Sequence, residues 1–208
     1  MSKITKILLI VMVVGLIFGG IGAADAIKVW KGDITDTKEI DVGKLEKNGL
    51  YEGEITGCYD IIAEETTTRT YGGIPTSKTK SPYYLVNNGN CYFVINVTVK
   101  DQQSDFDKMA DQTWDYIDEK TDDMPTPVKV SAQAVDMPDK VKEFLKEYCD
   151  EWGLSDQDYA EMVENTCCLK TTKYDVMKYT PIIGFGAALL CAVILIIRKA
   201  SAPKIVNL

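Results

Sequence analysis

Two long apolar segments, one near each end of the chain, constrain the fold more than any other feature. Residues 7–24 and residues 179–197 contain no charged side chain. A helix of about 18 residues is about 27 Å long, close to the hydrocarbon thickness of a bilayer. Neither segment has the polar face that a helix on the surface of a soluble core would show. The sequence therefore predicts two transmembrane helices.

Basic residues outside these two segments predict how the chain crosses the membrane. Lys3 and Lys6 precede the first segment, and Arg198, Lys199 and Lys204 follow the second. Positive flanks favour the cytoplasmic side, so residues 1–6 and 198–208 are predicted to be cytoplasmic and the middle of the chain to lie outside. Lysines also occur on the inner side of both segments, which weakens this argument.

The first segment has an alternative interpretation as a cleaved signal peptide. Lys3 and Lys6, the apolar stretch and the small residues Ala24 and Ala26 around Asp25 resemble the parts of such a signal. The apolar stretch is longer than the usual signal core, which favours an uncleaved anchor. The middle of the chain is outside the cytoplasm under either interpretation.

Small residues repeat every fourth position in both apolar segments. This pattern allows two helix backbones to approach closely, so it predicts that the helices pack on each other or self-associate. The alternative is that glycine and alanine are simply common in membrane helices. The residues concerned are Gly15, Gly19 and Ala23 in the first segment and Gly184, Ala188 and Ala192 in the second.

The middle of the chain is strongly acidic. All 31 acidic residues lie between Asp25 and Asp175, and only 18 of the 23 basic residues lie between the two apolar segments. Such a charge disfavours nucleic acid as a partner, because phosphate binding requires clustered lysine and arginine. Solubility is the main interpretation, and a cationic ligand or a loosely held divalent ion is the second.

Hydrophobic periodicity divides the middle into a connector, residues 25–50, and an α+β domain, residues 51–178. Alternation predicts strands over residues 51–62, 83–86, 92–99 and 128–134. Helices are predicted from a Ser104 cap with Asp107 as its partner, from Pro138 to a stop at Gly153, and over residues 155–163. Residues 166–175 are interpreted as a return to the membrane. The fold class is a mostly antiparallel sheet with helices on one face, flanked by the two transmembrane helices.

Two loop regions stand out between these elements. Residues 87–90, Asn-Asn-Gly-Asn, have strong hairpin chemistry because asparagine and glycine tolerate positive φ. Residues 66–81 are rich in threonine, serine, glycine and lysine, and they indicate a long loop or an irregular hairpin end. Long ordered loops often carry function, so this segment is the predicted binding surface.

Five of the six cysteines fall in the outer domain. Cys58 and Cys91 have opposite parity in their predicted strands, which argues against a bridge between them unless a bulge intervenes. The preferred disulfide joins Cys149 to Cys167 or Cys168, and buried thiols are the alternative. The chain has no histidine, no C-x-x-C and no phosphate-binding loop, so no catalytic residue, cofactor or metal site is predicted.

Three stretches of the outer domain prompt a resemblance to known proteins: GLYEGEITGCYDIIAEETTT, YGGIPTSKTKSPYYLV and FDKMADQTWDYIDEK. With the two anchors, the chain resembles uncharacterised membrane proteins of low-GC Gram-positive bacteria, a resemblance that implies no activity. It is more faintly similar to the membrane-inserted β domain that precedes the RING in some organellar ubiquitin ligases. Only 11 residues follow the second apolar segment, so that ligase activity is not expected.

These observations predict a membrane-anchored, extracytoplasmic binding domain that senses or scaffolds. The expected partners are the lipid bilayer and another membrane or envelope protein, or a second copy of the chain. Two alternatives stay open. One is an accessory subunit that acts through its helices in a larger membrane complex. The other is an enzyme that uses only carboxylates, because a pair of acidic side chains could meet in space.

Overall fold

A computed structural model describes residues 3–41, 45–71, 74–153 and 166–201. The chain divides into two compact units. The first combines Met1–Asp33 with Tyr174–Leu208, and the second is Ile34–Lys173. The mixed α+β fold class predicted from the sequence is confirmed, with a seven-stranded sheet between two long apolar helices in chain order.

The terminal unit consists of helix α1, Lys3–Lys31, and helix α4, Tyr174–Ala200. Both helices are long and apolar enough to cross a membrane. They extend past the predicted apolar segments because Asp25, Lys28 and Asp175 continue the helical backbone at the ends. Pro181 lies inside α4, in its third turn.

The second unit holds the sheet and two further helices. A 3₁₀ turn, Thr37–Glu39, follows strand β1. The strands are β1 Thr35–Asp36, β2 Leu50–Ile55, β3 Gly57–Tyr71, β4 Ile74–Asn87, β5 Tyr92–Asn96, β6 Val128–Asp136 and β7 Cys167–Thr171. The helices are α2 Lys100–Ile117 and α3 Asp139–Glu151.

The sheet has the strand order β1-β2-β6-β7-β5-β4-β3 and is strongly curved. Only Thr56 separates β2 from β3, so the ends of these strands lie at most about 8 Å apart. In a flat sheet the five strand spacings between them would span about 24 Å. The sheet must therefore curl until the ends of β2 and β3 meet at Thr56, whose N–H donates to Asn87 O of β4 at 3.0 Å and extends the β3–β4 pairing.

Helices α2 and α3 cover opposite faces of this sheet. Phe106 and Met109 of α2 pack into the larger apolar cluster with Tyr84 and Val86. Leu145 of α3 belongs to a second cluster, with alternate residues of the same strand. The prediction that both helices lie on one face is thus corrected. Four consecutive apolar residues, 83–86, are buried, which requires cover on both faces of β4.

The predicted single strand over residues 51–62 is two strands. Thr56 interrupts it, and register shifts between Cys58 and Asp60 and between Ile61 and Ala63 change which side chains point inward. Cys58 is consequently fully buried, whereas Ile61 is 48% exposed. A bulge adds one residue to a strand, so it reverses the face of every residue that follows.

The predicted connector, residues 25–50, is not a linker. Its first part continues α1, and β1 and the 3₁₀ turn follow. Ile40 and Leu45 are buried in the larger cluster. Residues 166–175 also differ from the prediction, because they contain β7, which pairs with β5 in parallel and with β6 in antiparallel orientation.

Several local predictions are confirmed. Strand β6 buries Val130, Ala132 and Ala134 as its alternation indicated. Helix α3 starts after Pro138 and ends before Gly153, which has a φ of +63°. At such a φ glycine is favoured over residues with a side chain. The predicted helix over residues 155–163 lies outside the described residues.

Candidate functional site

The predicted binding segment, residues 66–81, forms the arms of a β-ribbon. Strands β3 and β4 stay paired from Glu64 opposite Pro82 to Tyr71 opposite Ile74. Strand β5 pairs with β4 only over residues 83–87, so residues 64–71 and 74–82 form a two-stranded ribbon that extends beyond the sheet. At about 3.3 Å per residue, eight residues of strand extend about 26 Å.

Side chains of the ribbon are directed to solvent where the structure describes them. Residues 64–68 and 76–80 are all exposed, whereas Pro82 and Tyr83 at the base are buried. Threonine is abundant in both arms, and its branched Cβ favours strand pairing. The segment that seemed a polar loop in the sequence is therefore a paired strand without an apolar face.

Charge distinguishes the far part of the ribbon from the rest of the second unit. Residues 66–81 include Arg69, Lys78 and Lys80 but no acidic residue, although the unit as a whole is acidic. Glu64 and Glu65 lie at the base of the ribbon, where Lys80 forms an ion pair with Glu64 across the strands, with an Nζ–Oε1 distance of 2.7 Å. Residues 66–81 thus present a basic, hydroxyl-rich surface beyond two acidic side chains at the base.

The base of the ribbon is anchored to α2 and β5. Gln103 Nε2 donates to Lys80 O at 3.0 Å and to Val97 O at 2.9 Å. Tyr83 donates its hydroxyl to Glu65 Oε2 at 3.3 Å. Burial, with Glu65 as the next cause, raises the pKa of Tyr83 to about 12, so this hydroxyl stays protonated at neutral pH. These contacts fix the direction in which the ribbon leaves the sheet.

A stack of tryptophans covers the edge strand below the ribbon. Trp114 of α2 and Trp152 after α3 have ring centroids 5.1 Å apart and planes inclined by 26°. Their helices lie on opposite faces, so the pair closes over the edge of β3. Trp114 Nε1 donates to Tyr59 O at 2.5 Å, which satisfies an edge carbonyl that could otherwise pair with another chain.

Tyr84 links the sheet core to the surface of α2. Its ring stacks on Phe106 with centroids 5.2 Å apart, and its hydroxyl donates to Asp107 Oδ1 at 2.6 Å. Burial and this carboxylate both raise the Tyr84 pKa. The prediction that Asp107 is the capping partner of Ser104 is therefore wrong. Helix α2 starts at Lys100, four residues before Ser104.

The segment that leads into α2 is bonded to β7. Thr171 Oγ1 accepts from the N–H groups of Thr98 and Val99, at 2.9 and 3.2 Å. These two residues precede the helix, and no side-chain hydrogen bond is made by the N-cap residue Val99. Thr171 thus fixes where the chain enters α2, whereas the capping role that the sequence analysis assigned to Ser104 is not filled by that residue.

All six cysteines are buried. Cys149 and Cys168 contribute to the same apolar cluster, whereas Cys167 contributes to the cluster on the opposite face. The predicted bridge from Cys149 to Cys167 or Cys168 stays a prediction, and Cys168 is the one of the two that lies on the same face as Cys149. Cys58 and Cys91 share a face, contrary to the parity argument, because Thr56 interrupts the predicted strand before Cys58.

The predicted small-residue stripes come together in the terminal unit. A Cβ on Gly15 would lie 2.6 Å from Gly184 O, and one on Gly184 would lie 2.7 Å from both Gly15 O and Gly19 N. Ala188 is buried in this contact, whereas Ala23 and Ala192 are only partly buried. Farther along α1 and α4, Ala26 and Cys191 are buried.

A protein-family model matches residues 1–201, almost the whole chain, and its description is domain of unknown function DUF8577. The chain belongs to the DUF8577 family. The match includes both apolar helices and every strand of the sheet, so the family comprises the two units together. A comparison with curated proteins finds no match.

Within the part of this DUF8577 chain that the structure describes, no three cysteine or carboxylate side chains are grouped so that they could hold a metal ion. Asn96, in the glycosylation-like sequence Asn-Val-Thr, is 2% exposed on the central strand β5. A folded domain would therefore not present this asparagine for modification.

Proposed function

We propose that the protein is a membrane-anchored binding module whose ribbon recognises an acidic protein surface outside the cytoplasm. The observation that carries the proposal is the ribbon itself: two paired arms that extend beyond the sheet, with exposed side chains and three basic residues between positions 66 and 81. Such a surface offers main-chain edges and positive charge to a partner at the same time.

The remaining surface of the domain supports an anionic partner for the ribbon. A cationic partner would find acidic side chains over most of the domain and would have no reason to select the ribbon. An anionic partner is repelled by the domain and attracted by the ribbon, which makes the contact specific. A second copy of this chain is one such partner, because residues 100–123 carry nine acidic and three basic residues.

The membrane arrangement belongs to the same proposal. Basic residues outside the two apolar segments favour cytoplasmic termini, and this supports a domain that lies outside the cytoplasm. Arg69, Lys78 and Lys80 make the exposed ribbon a set of trypsin sites. Trypsin added to whole cells should cleave the ribbon, and protection there with cleavage in lysed cells would overturn the orientation.

A truncation tests the role of the ribbon. Deleting residues 67–70 and 75–79 would join Thr66 to Tyr71 and Ile74 to Lys80, which preserves the facing pairs at both joints. We expect the truncated chain to lose its partner in affinity capture from detergent-solubilised membranes, whereas the full chain should retain it. Retained partner recovery would contradict the proposal.

Charge variants then separate shape from electrostatics. Lys78→Gln combined with Arg69→Gln removes charge in the ribbon, and Lys140→Gln on α3 is a matched control at an exposed position. We expect the ribbon variant, but not the control, to recover less partner. Partner recovery by the wild type should also fall more steeply with added salt than recovery by the ribbon variant. Equal effects of the two changes would show that the partner is held elsewhere.

A further inference from the structure

Strand β3 has an open outer edge along the ribbon. It stands last in the strand order, and in the part of the chain that the structure describes it pairs with β4 alone. Alternate residues of such a strand direct their N–H and C=O groups away from the sheet. The indole of Trp114 covers this edge at Tyr59, before the ribbon begins. The outer edge of β3 beyond that point can therefore pair with a further strand.

The part of β3 that forms this open edge is regular. Its pairing with β4 runs without interruption from Ala63 opposite Tyr83 to Arg69 opposite Ser77, and register shifts lie on either side of the stretch. An uninterrupted strand of seven residues is about 23 Å long. Residues 64–68 are all exposed, so no side chain of this stretch is held in the core. The open edge is as long as an ordinary strand.

The other arm of the ribbon is protected against such pairing. Proteins protect exposed strand edges with lysine, with proline or with groups that cover the backbone. Strand β4 has Lys80 and Pro82 in the ribbon, whereas residues 63–69 contain neither lysine nor proline. Lys80 O accepts from Gln103 Nε2 at 3.0 Å, and Pro82 O accepts from Val97 N at 2.9 Å. The two arms thus differ, and the open edge belongs to β3.

The charges along the open edge are complementary to themselves when two copies run antiparallel. With the two-fold axis at Thr67, Glu65 of each copy stands opposite Arg69 of the other. Opposite charges on directly opposed residues stabilise antiparallel strands. A parallel contact in register would instead oppose glutamate to glutamate and arginine to arginine. Tyr83 donates to one oxygen of Glu65 at 3.3 Å, and the carboxylate can accept from further donors.

We infer that two copies of the chain associate through their open edges and form a four-stranded ribbon with the order β4-β3-β3-β4. The contact uses the same edge of both copies, and its outer strands are the protected β4 arms, so association stops at two. Lys78 and Lys80 stay on the outer strands of this ribbon. The inference goes beyond the proposed function, because two copies associate without the acidic partner and leave these lysines available to it.

Cross-linking in membranes tests the position of the two-fold axis. Directly opposed Cα atoms in antiparallel strands are about 4.5–5.5 Å apart, which suits a disulfide, so Thr67→Cys should give a covalent dimer under copper phenanthroline. Thr79→Cys is the matched control, because Thr79 is exposed and faces Thr67 across the ribbon. Its counterpart would lie three strand spacings away, about 14 Å. The six native thiols are buried.

A covalent dimer from Thr67→Cys and not from Thr79→Cys supports the inference. No dimer from Thr67→Cys, or equal yields from the two variants, would overturn it. A cross-link from Thr67→Cys to a different protein would also overturn it, because the open edge would then have another occupant.

A charge exchange tests the register. Light scattering of the full chain in detergent measures dimerisation, and we expect Glu65→Arg and Arg69→Glu each to weaken it at least about tenfold, since each opposes like charges at two places. The double variant should restore it. A dimer insensitive to both single changes, or not restored by the double variant, would refute this pairing. Partner capture is measured separately, so its loss with an intact dimer would contradict the proposed function alone.

Discussion

Replacement of Asn88 by alanine should be among the most destabilising single changes in the unit that contains the sheet. Asn88 is 5% exposed, and its side chain makes four hydrogen bonds to backbone groups. Nδ2 donates to Thr37 O at 2.7 Å and to Ile40 O at 3.1 Å. Oδ1 accepts from the N–H groups of Asn90 and Cys91, both at 3.0 Å. The residue thus clamps the turn between β4 and β5 to the segment after β1.

The magnitude follows from these four bonds. A hydrogen bond contributes about 1 kcal/mol net, and a buried backbone group left without a partner costs at least as much. We expect Asn88→Ala to lower the free energy of unfolding by about 3–4 kcal/mol, a large fraction of the stability of an ordinary domain. Asn90→Ala is the matched control, because it removes one exposed bond, from Nδ2 to Lys38 O at 2.6 Å.

Guanidinium unfolding of the full chain in detergent, followed by tryptophan fluorescence, measures the difference between the two variants. Asn88→Asp adds a second comparison, since it retains the acceptor for Asn90 and Cys91 but directs oxygen at two carbonyls. Amide exchange at those two residues should stay slow in Asn88→Asp and become fast in Asn88→Ala. If Asn88→Ala cost no more than Asn90→Ala, the clamp would not be what holds this turn.

Three further outcomes are expected. Gly184→Leu should separate α1 from α4, because its Cβ would lie 2.7 Å from Gly15 O. Cross-linking between single cysteines placed on the two helices should then fall. Gly186→Leu is the control and should have no effect, because a Cβ at Gly186 has nothing within 4 Å. Burial raises the pKa of Tyr83 and of Tyr148 to about 12, above the ordinary value of 10.0. The contribution of these two protonated hydroxyls to stability is complete below pH 10 and is lost as the pH rises toward 12. Phenolate absorbance, recorded together with unfolding, measures this loss. Burial, with Cys167 as a further cause, raises the pKa of Cys168 to about 12, so alkylation should be slow in the folded chain and fast in denaturant.

Each of these outcomes has a result that contradicts it. Equal cross-linking after Gly184→Leu would mean that the two glycine stripes do not form the helix contact. Tyrosines that all ionise near pH 10 without unfolding would show that the hydroxyls are accessible to solvent. Alkylation of Cys168 at the same rate in native and denatured protein would show that β7 is not held in the sheet.

Local patterns were sufficient where a segment depends mainly on its own neighbours. The alternation of residues 128–134 indicated β6, and Gly153 indicated the end of α3. The Asn-Asn-Gly-Asn turn was equally clear, and Gly89 in it has a φ of +95°. In each case the signal and the structure it predicts lie within a few residues.

Local patterns failed where the deciding partner is distant in sequence. Strand β7 has five residues without alternation, and it is a strand because β5 and β6 lie on both sides of it. The segment that enters α2 is held by Thr171, which is 72 residues away from Val99. The ribbon was predicted to be a loop because polar residues are typical of solvent-exposed segments. Threonine-rich strands that pair with each other satisfy the hydrogen-bonding groups of the backbone equally well.

The candidate site divides in the same way. Residues 66–81 were identified in the sequence by composition, but their form as a projecting ribbon depends on where β5 stops pairing with β4.

The sequence alone determined the two apolar helices, the acidic character of the domain between them and the α+β class. These properties depend on transfer of side chains between water and an apolar medium, which each residue carries wherever it lies. Only the tertiary structure decided the curl of the sheet and the opposite placement of α2 and α3. Those depend on contacts between residues far apart in the chain, and the bulges after Cys58 and Ile61 show how one added residue reverses what a strand buries.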